Sequence, residues 1–268
     1  MSPWVLVTGG ARRLGREVSL AFGRAGWKVA CHYRESGEAA QTLAAELGEL
    51  GVQCALVRGP LDDADAARRV FEQVRRHAGP SLRCIVNNAS EFVPDSAAGF
   101  DAAGLVQRLQ TNLVVPLEFA RLLAQAAGPT QDAGERPSVV HILDQKVYNL
   151  NPDYFSYTLS KLALERAVAQ QAQALAPVVR VNAVAPGLLY PSGPQTQQNF
   201  DAAATANLLR EPIQVPQVAQ AVLFLAMNPC ITGASLCVDN GQHLVPLPRD
   251  IMFVVDELLG KVGHGQHA

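Results

Sequence analysis

Residues 4–15 read WVLVTGGARRLG, in which four apolar residues run into a loop with three glycines and two arginines. The apolar run has the composition of a buried strand, and the residues after Gly15 have that of a helix. A strand that turns through glycines straight into a helix leaves free backbone N–H groups at the positive end of the helix dipole. Because this arrangement favours anions, the sequence predicts that residues 8–15 bind a pyrophosphate.

The same alternation of strand and helix continues along the chain. Strands are predicted at 4–8, 27–33, 52–57, 82–87, 138–143, 178–184 and 235–239, and helices at 13–26, 36–50, 63–78, 102–127, 155–175 and 215–228. Repeated βα units with apolar strands predict an α/β fold: one Rossmann-type, doubly wound domain whose parallel sheet of about seven strands has helices on both faces. We expect this domain at 1–247, with a substrate lid at about 186–212 and a C-terminal tail at 248–268.

The composition excludes several classes of protein. The chain has 268 residues, of which 49% are hydrophobic, so it can bury a large core. Its net charge of −2 and the absence of a basic run argue against nucleic acid or an anionic membrane as partner. We expect no leader before the first strand, no apolar run is long enough to span a bilayer, and we therefore expect a cytoplasmic protein. The five scattered cysteines are expected to be buried, reduced thiols.

A tyrosine, a lysine and an aspartate are the candidates for proton transfer. Tyr157 and Lys161 are four residues apart on a predicted helix and share a face, so the ammonium should favour the ionised phenol. Asp144 follows the strand 138–143, at the sheet edge where ligands of such folds bind. It can accept from an amino or ring N–H, or relay a proton with Tyr157, and the two acids should titrate as a pair. The alternative is a carboxylate that only orders a turn.

Residues 31–36, CHYRES, bear on the choice of coenzyme. The acidic residue that would bind a ribose 2′-hydroxyl is missing there. Arg34 and Ser36 suit a 2′-phosphate instead, with Arg12 as a further charge, and this predicts NADPH. The alternative is that Arg34 is a solvated arginine beside Glu35.

Several motifs together resemble one family over nearly the whole chain. They are TGGARRLG (8–15), NNAS (87–90), Asn112, Tyr157-x-x-x-Lys161, RVNAVAPG (180–187) and ITGASLCVDNG (231–241). This layout resembles the short-chain dehydrogenases/reductases. Within them the chain is most similar to pteridine reductases and their bacterial relatives that reduce dihydromonapterin or dihydrofolate. Arg13 replaces the usual loop glycine, Asp144 replaces the catalytic serine, NNAS extends to NNASEF, and Leu-Val-Val-Pro follows Asn112.

The resemblance implies a role for each matching residue. Tyr157 is the proton donor, Lys161 bridges the nicotinamide ribose and tunes the tyrosine, Asn112 supports a water relay, and Asp144 assists proton delivery. The implied coenzyme site comprises Gly9, Arg12, Arg13, Leu14, Gly15, His32, Tyr33, Arg34, Ser36, Leu61, Asn88, Ala89, Ser90, Tyr157, Lys161, Pro186 and Gly187. The implied substrate site comprises Arg13, Ser90, Phe92, Asp144, Tyr157 and Leu188, with Phe92 stacking the pterin against the nicotinamide. No metal site is expected.

The chain departs from the family pattern in two places. Pro60-Leu61 stands where the family carries an aspartate and a leucine near the adenine, and Asn240 stands at the first glycine of the terminal VDGG motif. Neither position touches the reacting groups. We therefore expect them to affect affinity and not the type of reaction.

The leading hypothesis is an NADPH-dependent reductase of dihydropterins, with dihydrofolate as a further substrate. The alternatives are a carbonyl reductase of the same family that acts on a 3-oxoacyl thioester, a sugar or a steroid ketone, and a protein that senses NADPH without turnover. Phe92 could instead be a core residue, Tyr190 could line the pocket or lie on the surface, and His141 is expected in the core. Alanine-rich helices 102–127 and 155–175 predict a homotetramer, unless their alanines pack only against the sheet.

Overall fold

The computed structural model describes residues 2–128, 136–193 and 195–264. The strands are β1 (Trp4–Val7), β2 (Lys28–Tyr33), β3 (Cys54–Arg58), β4 (Leu82–Asn87), β5 (Ser138–Ile142), β6 (Arg180–Pro186) and β7 (Ser235–Val238). Within the described ranges they form one seven-stranded sheet in the order β3-β2-β1-β4-β5-β6-β7, and each neighbouring pair is parallel. The predicted doubly wound Rossmann-type sheet is thus confirmed. Its strand order reverses at β1 and β4, which opens a crevice at the carboxyl ends of these strands.

Helices cover both faces of this sheet. They are α1 (Arg13–Arg24), α2 (Gly37–Glu49), α3 (Ala64–Ala78), α4 (Ala102–Leu109), α5 (Val115–Ala127), α6 (Phe155–Leu175), α7 (Gln197–Ala204), α8 (Val215–Met227) and α9 (Ile251–His264). Alternate residues of β1 enter opposite cores: Val5 and Val7 pack with α1, α2 and α8, whereas Trp4 and Leu6 pack with α3 and α5. No helix in the described ranges has both the length and the apolar character to cross a bilayer.

The helix predicted at 102–127 is not regular along its length. A π-helical turn, Gln110–Val114, separates α4 from α5 and carries Asn112. Pro116 explains the break, because it has no N–H to donate to the carbonyl of residue 112 in an α-helix. Such wide turns are frequent at functional sites.

The predicted lid segment and the C-terminal segment pack together. Helix α7 lies in the predicted lid, and α9 lies in the segment that was expected to form a tail. Ala203 packs with Ile251 and Val255, and the buried Asn199 side chain donates to Met252 O at 2.7 Å. The expected tail therefore begins with a helix that packs against α7 of the predicted lid. Residues 265–268 of that tail lie outside the described residues.

The five cysteines are all free thiols. Cys31 and Cys84 are buried as predicted, and Cys54 and Cys237 are half-buried. The expectation of burial is wrong for Cys230, which is exposed in the loop after α8. Burial raises the pKa of Cys31 and of Cys84 to about 12, so these two thiols stay protonated and inert.

Candidate active site

A cavity of about 600 Å³ opens beside the glycine-rich loop at the carboxyl ends of the strands. Its lining residues run from Gly9 to Ile251 in the sequence. The predicted site residues that line it are Gly9, Arg12, Arg13, Leu14, Gly15, Asn88, Ala89, Ser90, Phe92, Asp144, Tyr157, Pro186, Gly187 and Leu188. Most of the predicted coenzyme and substrate residues thus share one cavity.

The glycine-rich loop has the geometry of an anion cradle. Gly9 has φ +61°, in the left-handed region, and a Cβ on Gly15 would lie 2.1 Å from Gly9 O. Helix α1 begins after Arg12 with neither a side-chain cap nor an acidic residue in its first turn. Its first N–H groups are therefore left for an external acceptor, and the loop fits a pyrophosphate.

Buried polar side chains hold this loop in place. Thr8 Oγ1 accepts from the backbone N–H groups of Asn88 and Ala89, both at 2.9 Å. His32 Nδ1 accepts from Gly9 N at 3.2 Å, and its Nε2 donates to Gly59 O at 3.0 Å. Burial lowers the pKa of His32 to about 4, so the ring is neutral. The sequence predicts His32 as a coenzyme contact. In the structure it lies under the glycine-rich loop instead and positions the loop backbone.

The residues predicted to meet the adenosine end lie outside the main cavity. Tyr33, Arg34 and Ser36 are at the carboxyl end of β2, and Leu61 is buried just after β3. The Arg34 side chain is 63% exposed, with Nε 3.4 Å from Glu35 Oε1. An ion pair this exposed contributes little, so the guanidinium remains accessible to a phosphate.

Tyr157 and Asp144 form the centre of the site. The Tyr157 hydroxyl donates to Asp144 Oδ2 at 2.9 Å, and Asp144 Oδ1 accepts from Lys146 N at 2.9 Å. Burial raises the pKa of Asp144 above its ordinary value, against the opposing hydrogen bond from Lys146 N. Burial, followed by the charge of Asp144, raises the pKa of Tyr157 well above its ordinary value. Both groups therefore bind a proton more tightly than the same side chains do in water.

The expected effect of Lys161 on the phenol is wrong for this structure. Lys161 Nζ donates to Ile142 O at 2.7 Å and lies 5.7 Å from the centre of the Tyr157 ring. Because the Tyr157 hydroxyl is buried and bonded to a carboxyl group, the pKa of Tyr157 rises and does not fall. Burial lowers the pKa of Lys161 itself to about 8, although Asp144 opposes this shift.

The Asn112 side chain connects α6, which carries Tyr157, to the loop after β4. Its Oδ1 accepts from Glu91 N at 2.8 Å, and its Nδ2 donates to Glu91 O and to Ser160 Oγ, both at 3.0 Å. Ser160 Oγ in turn donates to Tyr157 O at 2.6 Å. In this structure Asn112 thus positions both Tyr157 and the neighbour of Phe92.

Phe92 belongs to an aromatic group at the cavity wall and not to the core. Its side chain is 38% exposed and stacks on Tyr154, with ring centres 4.1 Å apart and planes at 17°. The Tyr157 ring meets it edge-on at 4.6 Å. Tyr154, which the sequence analysis missed, is buried at the start of α6 with a left-handed backbone, φ 57°. A strained aromatic residue at this place is typical of a site whose geometry the surrounding fold enforces.

Tyr190 lines the cavity, which is one of the two positions that the sequence left open, the other being the surface. The Arg13 guanidinium lies 5.5 Å from the centre of its ring and thereby joins the glycine-rich loop to the lid. Arg13 keeps a positive φ of 50° although it replaces a glycine. Burial raises the pKa of Tyr190 to about 12.

A second polar wall of the cavity was not predicted. Its residues are Gln145, Lys146, Asn149, Asn151, Gln242 and Asp250. The position of Gln145 and Lys146 directly after Asp144 was an available signal. The sequence carried no signal for Asp250, which comes from the segment before α9 and reaches the site through the fold.

His141 is the core histidine that the sequence predicts. It is fully buried in β5, where Nδ1 accepts from Asn87 Nδ2 and Nε2 donates to Gln171 Oε1, both at 3.1 Å. Burial lowers its pKa to about 4. Its two nitrogens are thus committed to structural contacts.

Comparisons with known proteins identify the family. A family model described as enoyl-(acyl carrier protein) reductase matches residues 9–243. This chain belongs to the short-chain dehydrogenase/reductase family. The dihydromonapterin reductase of Citrobacter koseri is 27% identical to it, over 90% of this chain and 96% of its own length. Pteridine reductase 1 of Leishmania tarentolae is 28% identical, over 91% of this chain and 97% of its own.

A solved structure is similar to this short-chain dehydrogenase/reductase in fold and in sequence. FolM alternative dihydrofolate reductase 1 from Brucella canis, complexed with NADP, superimposes with a TM-score of 0.85 at 35% identity. The superposition covers 93% of this chain and 97% of the other. Together with the two reductases, it confirms the predicted resemblance to the pterin-reducing members of the family.

Proposed function

We propose that this protein is an NADPH-dependent reductase of dihydropterins, with dihydrofolate as a further substrate. The observation that carries the proposal is the hydrogen bond between Tyr157 and Asp144 at the cavity. The reduction of a C=N bond adds hydride to carbon and a proton to nitrogen. A carboxyl group can accept from the N–H groups of a pterin and also supply a proton, whereas a serine hydroxyl is not acidic enough for the second task. The related reductases and the NADP complex support this assignment.

The coenzyme has a natural place in the fold. The N-terminal turn of α1 and the glycine-rich loop would hold the pyrophosphate, and Arg34, Ser36 and Arg12 the 2′-phosphate. Lys161 would hold the nicotinamide ribose. NADPH supplies the hydride when it is bound, and the chain contributes orientation and the proton.

Proton delivery would use Tyr157 and Asp144 as one unit. Asp144 raises the pKa of Tyr157, whereas the hydrogen bond from Tyr157 opposes the rise in the pKa of Asp144, so their titration belongs to the pair. Asn112 would hold Tyr157 at a fixed position relative to the loop that carries Ser90 and Phe92.

Phe92 would present its ring to the pterin. An offset stack of this kind contributes about 0.5–1.5 kcal/mol beyond burial. Since Tyr154 already covers one face of Phe92, the ring is held before substrate arrives. Ser90, Arg13 and Leu188 complete the proposed substrate site.

A single assay tests the function. NADPH oxidation is measured with a dihydropterin, dihydrofolate and a 3-oxoacyl thioester, for the wild type and for Asp144→Ser. We expect the wild type to reduce the dihydropterin and the variant to lose most of that activity. Oxidation with the thioester alone would identify a ketone reductase of the same family. Tight NADPH binding without turnover of any substrate would identify a sensing protein.

We also propose that the enzyme works in the cytoplasm as a homotetramer. The support is two exposed apolar side chains on the alanine-rich helices: Val106 of α4 is 56% exposed and Leu159 of α6 is 37% exposed. Burial of these side chains between subunits would stabilise the assembly. Sedimentation equilibrium measures the mass, and a monomer would refute the tetramer.

A further inference from the structure

An ion pair between Lys146 and Asp250 lies inside the protein. The two side chains are 3% and 15% exposed, and Lys146 Nζ donates to Asp250 Oδ2 at 2.7 Å. The same Nζ donates to Asn151 Oδ1 at 2.9 Å. A buried ion pair often stabilises a fold no more than apolar side chains of the same volume do, because both charges lose their water. Stability alone therefore does not explain two charges at this place.

Lys146 contacts Tyr157 and Asp144, the acid pair, from two sides. Its backbone N–H donates to Asp144 Oδ1 at 2.9 Å, while the Tyr157 hydroxyl donates to Oδ2 of the same carboxyl group. Its Nζ lies 5.4 Å from the centre of the Tyr154 ring, which stacks on Phe92. Phe92 in turn meets the Tyr157 ring edge-on. One residue thus binds the carboxyl group directly and reaches the phenol through two aromatic rings.

Asp250 belongs to the segment that leads into α9. It lines the cavity together with Ile251, the first residue of that helix. Its backbone N–H donates to Asp153 Oδ2 at 2.7 Å, and its Oδ1 accepts from Met252 N at 3.2 Å. The carboxylate is therefore held in one orientation, with Oδ2 towards Lys146.

The charges of this ion pair bear on the acidity of Asp144. Burial raises the pKa of Asp144, and the backbone N–H and the positive charge of Lys146 oppose this rise. Asp250 places the opposite charge 2.7 Å from that ammonium and so offsets its effect. Without Asp250, the same lysine would favour the ionised form of Asp144 more strongly.

Other charged and titratable groups also face the acid pair or the ion pair. They are Tyr157 and Lys161 of α6, Asp153 and Tyr154 before α6, Arg249 before α9, and, lining the same cavity, Arg12, Arg13 and Tyr190. Their charges contribute equally to the wild type and to variants that change only Lys146 or Asp250. A difference between such variants therefore reports the ion pair.

We propose that Lys146 and Asp250 are positioning residues for proton transfer: their ion pair holds Asp144 in place and sets the net charge that the acid pair meets. This inference rests on the proposed reduction and adds two residues to its proton-delivery unit. The C-terminal segment thereby becomes part of the active site.

The test neutralises one member of the ion pair at a time. Lys146→Met removes the positive charge, so the pKa of Asp144 should rise. Asp250→Asn leaves that charge unopposed, so the pKa of Asp144 should fall. The side-chain oxygens at positions 250 and 151 still accept from the ammonium in this variant and keep it charged. Damage to the fold would impair both variants alike, whereas a charge effect has opposite signs.

Two measurements report the shift. Carbon NMR of the aspartate carboxyl groups follows the titration of Asp144 in the free protein, and Asp144→Asn assigns its signal. The pH dependence of kcat for a dihydropterin gives the alkaline limb, at which the acid loses its proton. Above that limb, kcat relative to its own maximum should fall about tenfold in Asp250→Asn and rise in Lys146→Met. Lys161 faces the same charges and would respond in the same directions, so the sign holds whichever group limits the rate.

Two further variants separate the charge of the pair from its anchoring role. Arg249→Gln removes another cation from the same segment. Arg249 binds Asp153 through two bonds of 2.8 Å, but its side chain is 45% exposed, so water screens its charge and both measurements should stay near the wild type. Lys146→Met/Asp250→Asn removes both charges and should return both measurements towards the wild type. It also avoids the unpaired buried carboxylate that could unfold Lys146→Met.

Each outcome bears on the ion pair. An unmoved titration, or a shift of the same sign in both single variants, would refute the positioning role. An equal shift in Arg249→Gln would also refute it, because anchoring of the segment would then explain the effect. If Lys146→Met does not fold, Asp250→Asn and the double variant decide the question. Absence of dihydropterin turnover in the wild type would refute the proposed function, whereas the NMR titration needs no substrate and would still test the ion pair.

Discussion

The two ends of the cavity are built in different ways. At the coenzyme end, side chains bind mainly backbone groups: Asn88 and His32 bind the backbone of the glycine-rich loop, and Thr8 Oγ1 accepts from the backbone N–H of Asn88. At the substrate end, side chains bind side chains across long stretches of sequence, as Lys146 and Asp250 do over 104 positions. A site made of backbone groups tolerates much variation in sequence. One made of side-chain pairs changes with each substitution.

The largest expected effect is a loss of turnover at the substrate end with no loss of NADPH affinity at the coenzyme end. Tyr157→Phe removes the hydroxyl that donates to Asp144, and we expect turnover to fall by about a hundredfold to ten-thousandfold, the usual contribution of a positioned acid. NADPH affinity should be retained, as measured by fluorescence titration. Tyr148→Phe is the control, because this exposed tyrosine does not line the cavity and its hydroxyl donates to Glu165 Oε1 at 3.4 Å. Undiminished turnover in Tyr157→Phe would show that another group is the acid.

Acid should destabilise both ends, since each contains a buried neutral histidine. His32 and His141 have their pKa values lowered to about 4 by burial. The unfolded chain binds these protons already near pH 6.5, so stability is full above that pH and is lost as pH falls towards 4. The loss should be about 3 kcal/mol for each histidine, measured by urea unfolding from pH 7 to 4.

Two single variants assign this loss to the two ends. His32→Gln should remove the part of the acid-induced stability loss that arises at the coenzyme end. His141→Gln should remove the part that arises in the strand beneath the substrate end. An unchanged pH dependence in both variants would show that carboxyl groups cause the acid loss.

A smaller effect is expected at Gly15 in the coenzyme end. A Cβ there would meet Gly9 O at 2.1 Å and Asn88 Nδ2 at 2.7 Å, so Gly15→Ala must distort the loop. Overpacking of this kind costs about 1–3 kcal/mol, and NADPH affinity should fall about tenfold to hundredfold. Gly48→Ala is the control, because a Cβ at Gly48 in α2 has open space. Equal affinity in the two variants would mean that the loop adapts freely.

The smallest effect is expected at the lid. Asn199→Ala removes the bonds from α7 to Met252 O and to Asp256 Oδ1, at a cost of about 1–2 kcal/mol in local stability. The KM for dihydropterin should rise while NADPH affinity is kept, and hydrogen exchange of α7 and α9 should accelerate. Gln197→Ala, on the exposed side of α7, is the control. Unchanged exchange in Asn199→Ala would contradict the anchoring role.

Much of the fold and part of the site were accessible from the sequence. The apolar strands, the helices between them and the glycine turn after β1 predict the parallel sheet and its crevice. Tyr157 and Asp144 were predicted as partners in proton transfer, and their side chains are hydrogen-bonded. The single helix predicted over 102–127 is interrupted by a π-helical turn. Pro116 has no N–H, so it cannot donate the α-helical hydrogen bond to the carbonyl four residues earlier.

Periodicity along the chain decides where strands and helices form, because that depends on backbone angles and on neighbours a few residues away. The sequence could therefore determine the sheet, the loop and the spacing of Tyr157 and Lys161. Folding alone decided that Tyr154 covers Phe92, that Asp250 meets Lys146, and that Asp144 raises the pKa of Tyr157. These contacts join segments through space, and the burial that shifts the protons exists only once the whole domain has excluded water.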